Sequence, residues 1–223
     1  MIRRPTIGRS FVFRWALAGL AAFLIGLCAG DARAADDVPR AAEAYRADLT
    51  RVARFHYGLD APVATLGGLI HQESWWRPDA VSPAGAQGLT QFMPDTTTWI
   101  ASLYPELSDA RPFDPRWSVR AMVRYTVWLN SRIQAAGPCE QWAFVLSAYN
   151  GGLGWVYRDK RLASAKGADP LAWFDSVERF NDGRSAANFR ENRHYPRVIL
   201  LRWEPLYQDA GWGPGVCQSR WGA

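Results

Sequence analysis

Glu73 is the residue whose position in this sequence suits acid–base chemistry. Val63, Leu66 and Ile70 recur at spacings of three and four and so line one face of a helix; Glu73, seven positions after Leu66, lies on nearly the same face. A carboxyl facing apolar surroundings resists ionisation. Its pKa rises, and it arrives at neutral pH with a proton to give to a leaving group. By itself the signal is weak, because a Glu at the end of a helix is more often solvated or hydrogen-bonded than catalytic. Other chemistries find less support. The histidines are His56, His71 and His194, and no pair has the spacing of a helical zinc motif, so no metal site is expected. There is no phosphate-binding glycine loop with Lys, and Ser147 lacks the glycine-flanked elbow of a serine hydrolase.

The elements around Glu73 follow from periodicity and punctuation. Helical spacing dominates and strand-like alternation is scarce, so the fold is expected to be mainly α. Residues 37–57 read as one helix that stops at Gly58-Leu59-Asp60; Asp60 is then expected to cap the next, with Pro62 in its first turn. Ser82 to Gly88 breaks any helix and reads as a compact loop with permissive backbone at Gly85 and Gly88. A short helix is expected after Pro94, around Asp95 to Ser102, and another through Val119, Met122, Val123, Val127 and Leu129 after an irregular connection. Pro138 opens a helix carrying Trp142, Val145, Leu146 and Tyr149, which Asn150-Gly151-Gly152 stops. Trp155 to Leu162, Leu171 to Phe180 and Tyr195 to Tyr207 are weaker helical expectations.

The N-terminus and the charge narrow the classes further. Arg3, Arg4, Arg9 and Arg14 precede an apolar run from Trp15 to Gly30, and Ala32-Arg33-Ala34 follows, which reads as a signal peptide cleaved after Ala34. The run has 16 residues, short of the roughly 20 that a spanning helix needs, so an anchor is the lesser reading. Cys28 follows Leu27, where a lipid-attachment signal wants a small side chain. Without residues 1–34 the chain has 21 basic and 20 acidic residues, a formal charge of +1, and nothing in its charge points to nucleic acid. Cys139 and Cys217 remain, and an oxidising compartment makes a disulfide their natural state, with two buried thiols as the alternative. A bridge across 78 positions is worth on the order of 4 kcal/mol by the loop-closure model.

Context strengthens the Glu73 reading. Glu73-Ser74 is followed by Gly88-Leu89-Thr90-Gln91-Phe92-Met93-Pro94 and, much later, by Ala148-Tyr149-Asn150; Glu191-Asn192-Arg193-His194-Tyr195 is a weaker fourth segment. This ordered set resembles the soluble lytic transglycosylase family over roughly residues 58–203. The resemblance implies a single lysozyme-like helical domain; outside it lie residues 35–57, read as an N-terminal helical extension, and 204–223, a tail that the expected disulfide would tie down. It implies a peptidoglycan substrate, cut between N-acetylmuramic acid and N-acetylglucosamine without water and without a cofactor. By resemblance, Glu73 protonates the glycosidic oxygen and its carboxylate then takes the proton of the muramic acid C6 hydroxyl, whose oxygen closes on C1 to give a 1,6-anhydro sugar.

One carboxyl serves both steps because the nucleophile belongs to the substrate, whereas ordinary glycosidases place a second carboxylate across the bond. Asp79, Asp95 and Asp114 are the acidic residues to consider for that second role, and each has a duller use in a turn or at a helix start. The resemblance carries supporting roles to Ser74 for local geometry, to Ser82 and Gln91 in the loop near the sugar, and to Tyr149, expected to reach Glu73 from the facing helix. Asn150 holds a turn, and Glu191 either positions the site or pairs with Arg193 or another surface base. Thr90 departs from the Met usual in the family. Trp75 and Trp99 are candidates for stacking on sugar rings, and Trp76 for the core. A hydrolytic lysozyme and a non-catalytic glycan-binding module are the rival readings. A monomer in the periplasm or secreted, working beside an envelope-spanning secretion or conjugation complex, is the expectation for setting and partners.

Overall fold

Proline and short capping side chains set most of the helix starts. In the computed structural model, which describes residues 37–217, a 3-10 turn at Arg40–Ala42 leads into α1 (Glu43–Tyr57), where one helix was expected from residue 37. The expected signal peptide, residues 1–34, lies outside the described residues, as do the last six of the tail. α2 (Val63–Ser74) begins after Pro62 with no side-chain cap, so the capping role expected of Asp60 is not filled. The tail takes part there instead: Ala64 N donates to Pro214 O at 3.1 Å. α3 (Pro94–Leu103) and α4 (Pro115–Asn130) both open on proline, whose missing N–H is no loss in a first turn. Asp114 caps α4, accepting from Arg116 N at 2.8 Å and Trp117 N at 3.2 Å. α5 (Pro138–Gly151) ends at Gly152, φ +95°, and α6 (Leu153–Ala165) follows at once.

The expected helix at Leu171 to Phe180 is not one. The segment forms turns and a short 3-10 stretch, Val177–Arg179, because the Glu140 carboxylate accepts Trp173 N at 2.6 Å and Phe174 N at 3.0 Å, giving the backbone a partner other than its own helix. Trp173 is thereby inserted fully into the core, edge-on to Phe144. α7 (Ala186–Val198) is capped by Ser185 and runs through Pro196, which has no N–H to give. Beyond it the ladder widens into a π segment, Ile199–Trp203, and continues as α8 (Glu204–Asp209).

α2 is the central helix, buried from Val63 to His71. Its approach to the last helices is close because Gly67 and Gly68 carry no side chain: a Cβ on either would stand 2.9 Å from Tyr207 or Trp203. Leu66, Leu69 and Ile70 pack into the same core as Leu89, Ile100, Met122, Val123, Leu146 and Ile199, each such side chain worth about 1.5–3 kcal/mol when buried. α1, set apart as an extension by its sequence, contributes Leu49 and Ala53 to that core and stacks Tyr45 on Trp76. The tail is fixed twice over. Cys217 is disulfide-bonded to Cys139 at the start of α5, and its N–H donates at 2.8 Å to the buried carboxylate of Glu204, which also accepts from Thr65 Oγ1 at 2.5 Å. Among the described residues no helix is long and apolar enough to cross a membrane.

Candidate active site

Glu73 occupies the last turn of α2, where the chain leaves the helix abruptly. Trp75 and Trp76 both adopt left-handed backbone, φ +54° and +62°, a conformation that costs a non-glycine residue about 1 kcal/mol or more. Packing offsets that strain for Trp76, buried among Tyr45, Tyr207 and Trp212. Trp75 is 47% exposed and lays its edge against His71 and Trp203. The next residues form the glycine-rich loop, closed on itself by Gly88 N to Ala80 O (2.8 Å), Gln87 N to Phe92 O (2.9 Å) and Ser82 N to Ala86 O (2.9 Å). Two side chains fasten it to the helices: Ser74 Oγ donates to Leu89 O at 2.7 Å, and the Tyr149 hydroxyl of α5 donates to Thr90 O at 2.9 Å.

Within this frame the Glu73 carboxyl receives a hydrogen bond from the Tyr195 hydroxyl of α7. Burial pushes its pKa from an ordinary 4.5 up to about 8; the Tyr195 bond opposes the rise and the nearby charge of Glu191 adds to it. The residue keeps a partial opening to solvent although protein crowds its carboxyl. Burial and the Glu73 charge hold both Tyr149 and Tyr195 well above their usual range, so both phenols remain donors at neutral pH. Glu191 stands at the rim, accepting from Asn150 Nδ2 at 3.3 Å, while Asn192 Nδ2 donates to Asn150 Oδ1 and Ser147 O, both at 2.9 Å. α5 and α7 are thus tied side chain to side chain beside the carboxyl.

Comparison with known proteins places this geometry. The family model described as the transglycosylase SLT domain matches residues 50–171, more than half of the chain. The chain belongs to the transglycosylase SLT domain family. Similar curated proteins include membrane-bound lytic murein transglycosylase F of Vibrio campbellii, 32% identical over 153 residues that are 60% of this chain and 27% of that protein. The namesake of Haemophilus influenzae is 34% identical over 135 residues, 60% of this chain and 25% of the other. This chain therefore spans about a quarter of the length of those relatives. Among solved structures, an inactive variant of the lytic transglycosylase Slt from Pseudomonas aeruginosa covers 79% of this chain and 26% of its own at TM-score 0.55 and 22% identity. A complex of the 70-kDa soluble lytic transglycosylase with bulgecin A covers 81% and 26% at TM-score 0.55 and 23% identity. These establish the lysozyme-like SLT fold.

In this SLT domain the residues singled out by sequence take distinct places. Ser74 and Tyr149 hold the loop, and Tyr149 bonds to Thr90 O rather than to the carboxyl. Ser82 Oγ accepts Ala86 N at 3.0 Å, and Gln91, itself at φ +50°, donates to Ala80 O and Gly88 O at 3.1 and 2.8 Å; both side chains brace the loop. Asn150 and Glu191 meet each other, and the pairing of Glu191 with Arg193 is not formed: Arg193 is turned inward to Asp159. Trp99 is half-buried against Tyr125 and Trp128, with Tyr125 in turn touching Tyr149. Asp114 is occupied as the cap of α4, and Asp79 and Asp95 are exposed. Thr90 is fully buried and its hydroxyl has no partner. Tyr195 is the contact that residue-by-residue reading passed over. It stood in the fourth, weakest segment, and only the packing of α7 on α5, and of the π segment that follows it on α2, brings it to Glu73.

Proposed function

We propose that this chain is a lytic transglycosylase that cuts the β-1,4 bond between N-acetylmuramic acid and N-acetylglucosamine in peptidoglycan. What carries the reading is a single carboxyl, Glu73, crowded by protein so that its pKa rises to about 8, and held by Tyr195. A pKa raised that far leaves the carboxyl mostly protonated at pH 7. Glu73 donates its proton to the glycosidic oxygen as the bond breaks. The resulting carboxylate, still accepting from Tyr195, removes the proton of the muramic acid C6 hydroxyl, and that oxygen bonds to C1. Glu73 ends protonated, one glycan end is a new hydroxyl, and the other is a 1,6-anhydro ring.

The names of the relatives support murein as the substrate, and the signal peptide expected from residues 1–34 supports action outside the cytoplasm, in the periplasm or beyond it. We further propose that the chain works as a monomer, locally, beside an envelope-spanning complex. Its test is co-purification: recovery with such a complex supports that role, and a freely diffusing monomer in every fraction refutes it. The catalytic reading is tested by mass analysis of murein digested with the purified protein. Muramic ends one water lighter than reducing ends are expected. Ordinary reducing ends would assign a hydrolytic muramidase, and binding without release would assign a non-catalytic glycan-binding module.

A further inference from the structure

A polar cavity of about 360 Å³ opens beside the carboxyl site, with Asn150, Gly151, Trp155, Arg184, Asn188 and Glu191 among its walls. Glu191 belongs to both places, since its charge also acts on Glu73. Beneath the cavity the buried charges do not balance. Asp159 is fully buried and shared by two guanidiniums, Arg184 through Nη1 and Arg193 through Nη2 at 2.7 Å. Arg193 is satisfied besides by Glu178 O at 2.8 Å, Asn192 Oδ1 at 2.6 Å and Phe180 O at 2.6 Å, and the Glu178 carboxylate is engaged by Arg197. Arg184 is different: its side chain is 3% exposed, yet Nε and Nη2 have no acceptor.

Two cations on one anion leave a formal positive charge in a medium that screens it poorly. Trp155 covers a face of the Arg184 guanidinium at 4.9 Å, and Gly151 and Asn192 border it: a Cβ on Gly151 would stand 2.7 Å from Asn192 Nδ2 and 3.9 Å from Arg184 Nε. The exposed amide of Asn188 adds a donor at the wall. Glu191 sets the opposite sign at the rim nearest Glu73, so an anionic group is repelled from that edge and drawn toward the Arg184 end.

We propose that this cavity is a carboxylate-binding subsite that takes the acidic arm of muramic acid next to the bond being cut. The proposal rests on the peptidoglycan reading of Glu73. Two sources share the chemistry: the lactyl carboxylate, free on a strand stripped of peptides, and the carboxylates of an intact peptide stem.

The test titrates the full chain carrying Glu73→Gln with N-acetylmuramic acid, with N-acetylmuramoyl-alanyl-glutamate, and with the carboxamide form of each. One of the acids is expected to bind at least about tenfold more tightly than its amide, as a charge-assisted hydrogen bond requires, and the acid that does so names the source. Asn188→Leu, which fills the exposed wall without touching the buried ion pairs, is expected to abolish that preference. Arg184→Gln is expected to do the same wherever its thermal melt shows an intact fold. Equal affinity for acid and amide, or a preference that survives Asn188→Leu, overturns the proposal. Murein digestion by the unaltered chain is scored alongside. Digestion with no carboxylate preference sinks the subsite alone, whereas absence of digestion sinks the reading of Glu73 while the titration still reports on the cavity.

Discussion

Replacing Glu73 by Gln tests the physical claim on which the chemistry depends, and does so without a substrate. The folded-state pKa, about 8, lies above the ordinary 4.5 of the unfolded chain. Between those values the folded protein keeps a proton that the unfolded chain has released, so stability is greatest at low pH and falls as pH rises through the window. At 1.36 kcal/mol per unit, raising pH from 5 to 7.5 removes about 2–3 kcal/mol of stability through this one group. Gln keeps an oxygen to accept from Tyr195 but cannot ionise, so the variant lacks this term. Urea unfolding of both proteins at pH 5, 6, 7 and 7.5 gives the difference directly, with constant slope against denaturant confirming a common denatured state. The variant is expected to gain on the parent by about 2–3 kcal/mol across the series, while murein release falls by about a thousandfold. Parallel stability curves would mean that the carboxyl titrates as an ordinary one, and the argument for a proton held in reserve would be wrong.

Other outcomes follow from individual contacts. Tyr195→Phe removes the bond that favours the carboxylate, so the basic limb of the pH–rate profile is expected to move to higher pH as kcat falls by about tenfold; an unmoved limb would show that the phenol does not act on Glu73. Gly88→Ala would place a Cβ 1.8 Å from Pro112 O at a residue with φ +73°, so about 3 kcal/mol of stability and most activity are expected to be lost, read by denaturant melts and murein clearance. Cys217→Ser is expected to cost about 2–4 kcal/mol by freeing the tail from α5, measured as a fall in Tm in oxidising buffer. Activity that survives at temperatures below that melt would separate the tail's structural role from the chemistry.

Much of the site was legible because it is local. The apolar spacing from Val63 to Ile70 fixed both the helix and the direction of Glu73, since side chains one or two turns apart share a face whatever the rest of the chain does. Pro94, Pro138 and the Asn150-Gly151-Gly152 stop marked helix ends for equally local reasons. The expectations that failed were those in which a distant group supplied a partner. Leu171 to Phe180 has a helical pattern, but the Glu140 carboxylate captures its backbone N–H groups; Asp60 has a capping side chain, but the tail meets that helix start instead. Nothing in the sequence says that Gly67 and Gly68 admit Tyr207 and Trp203, or that two arginines share Asp159.

Sequence by itself therefore determined which carboxyl faces the apolar side of a helix, where the loop beside it must turn, and which two cysteines are able to bond. Tertiary structure alone decided that the carboxyl is held by Tyr195 rather than Tyr149 and how far its pKa rises. The division has one cause: periodicity and turn chemistry act over a few residues, whereas desolvation and hydrogen bonding depend on which side chains arrive from elsewhere, here across 122 positions of chain.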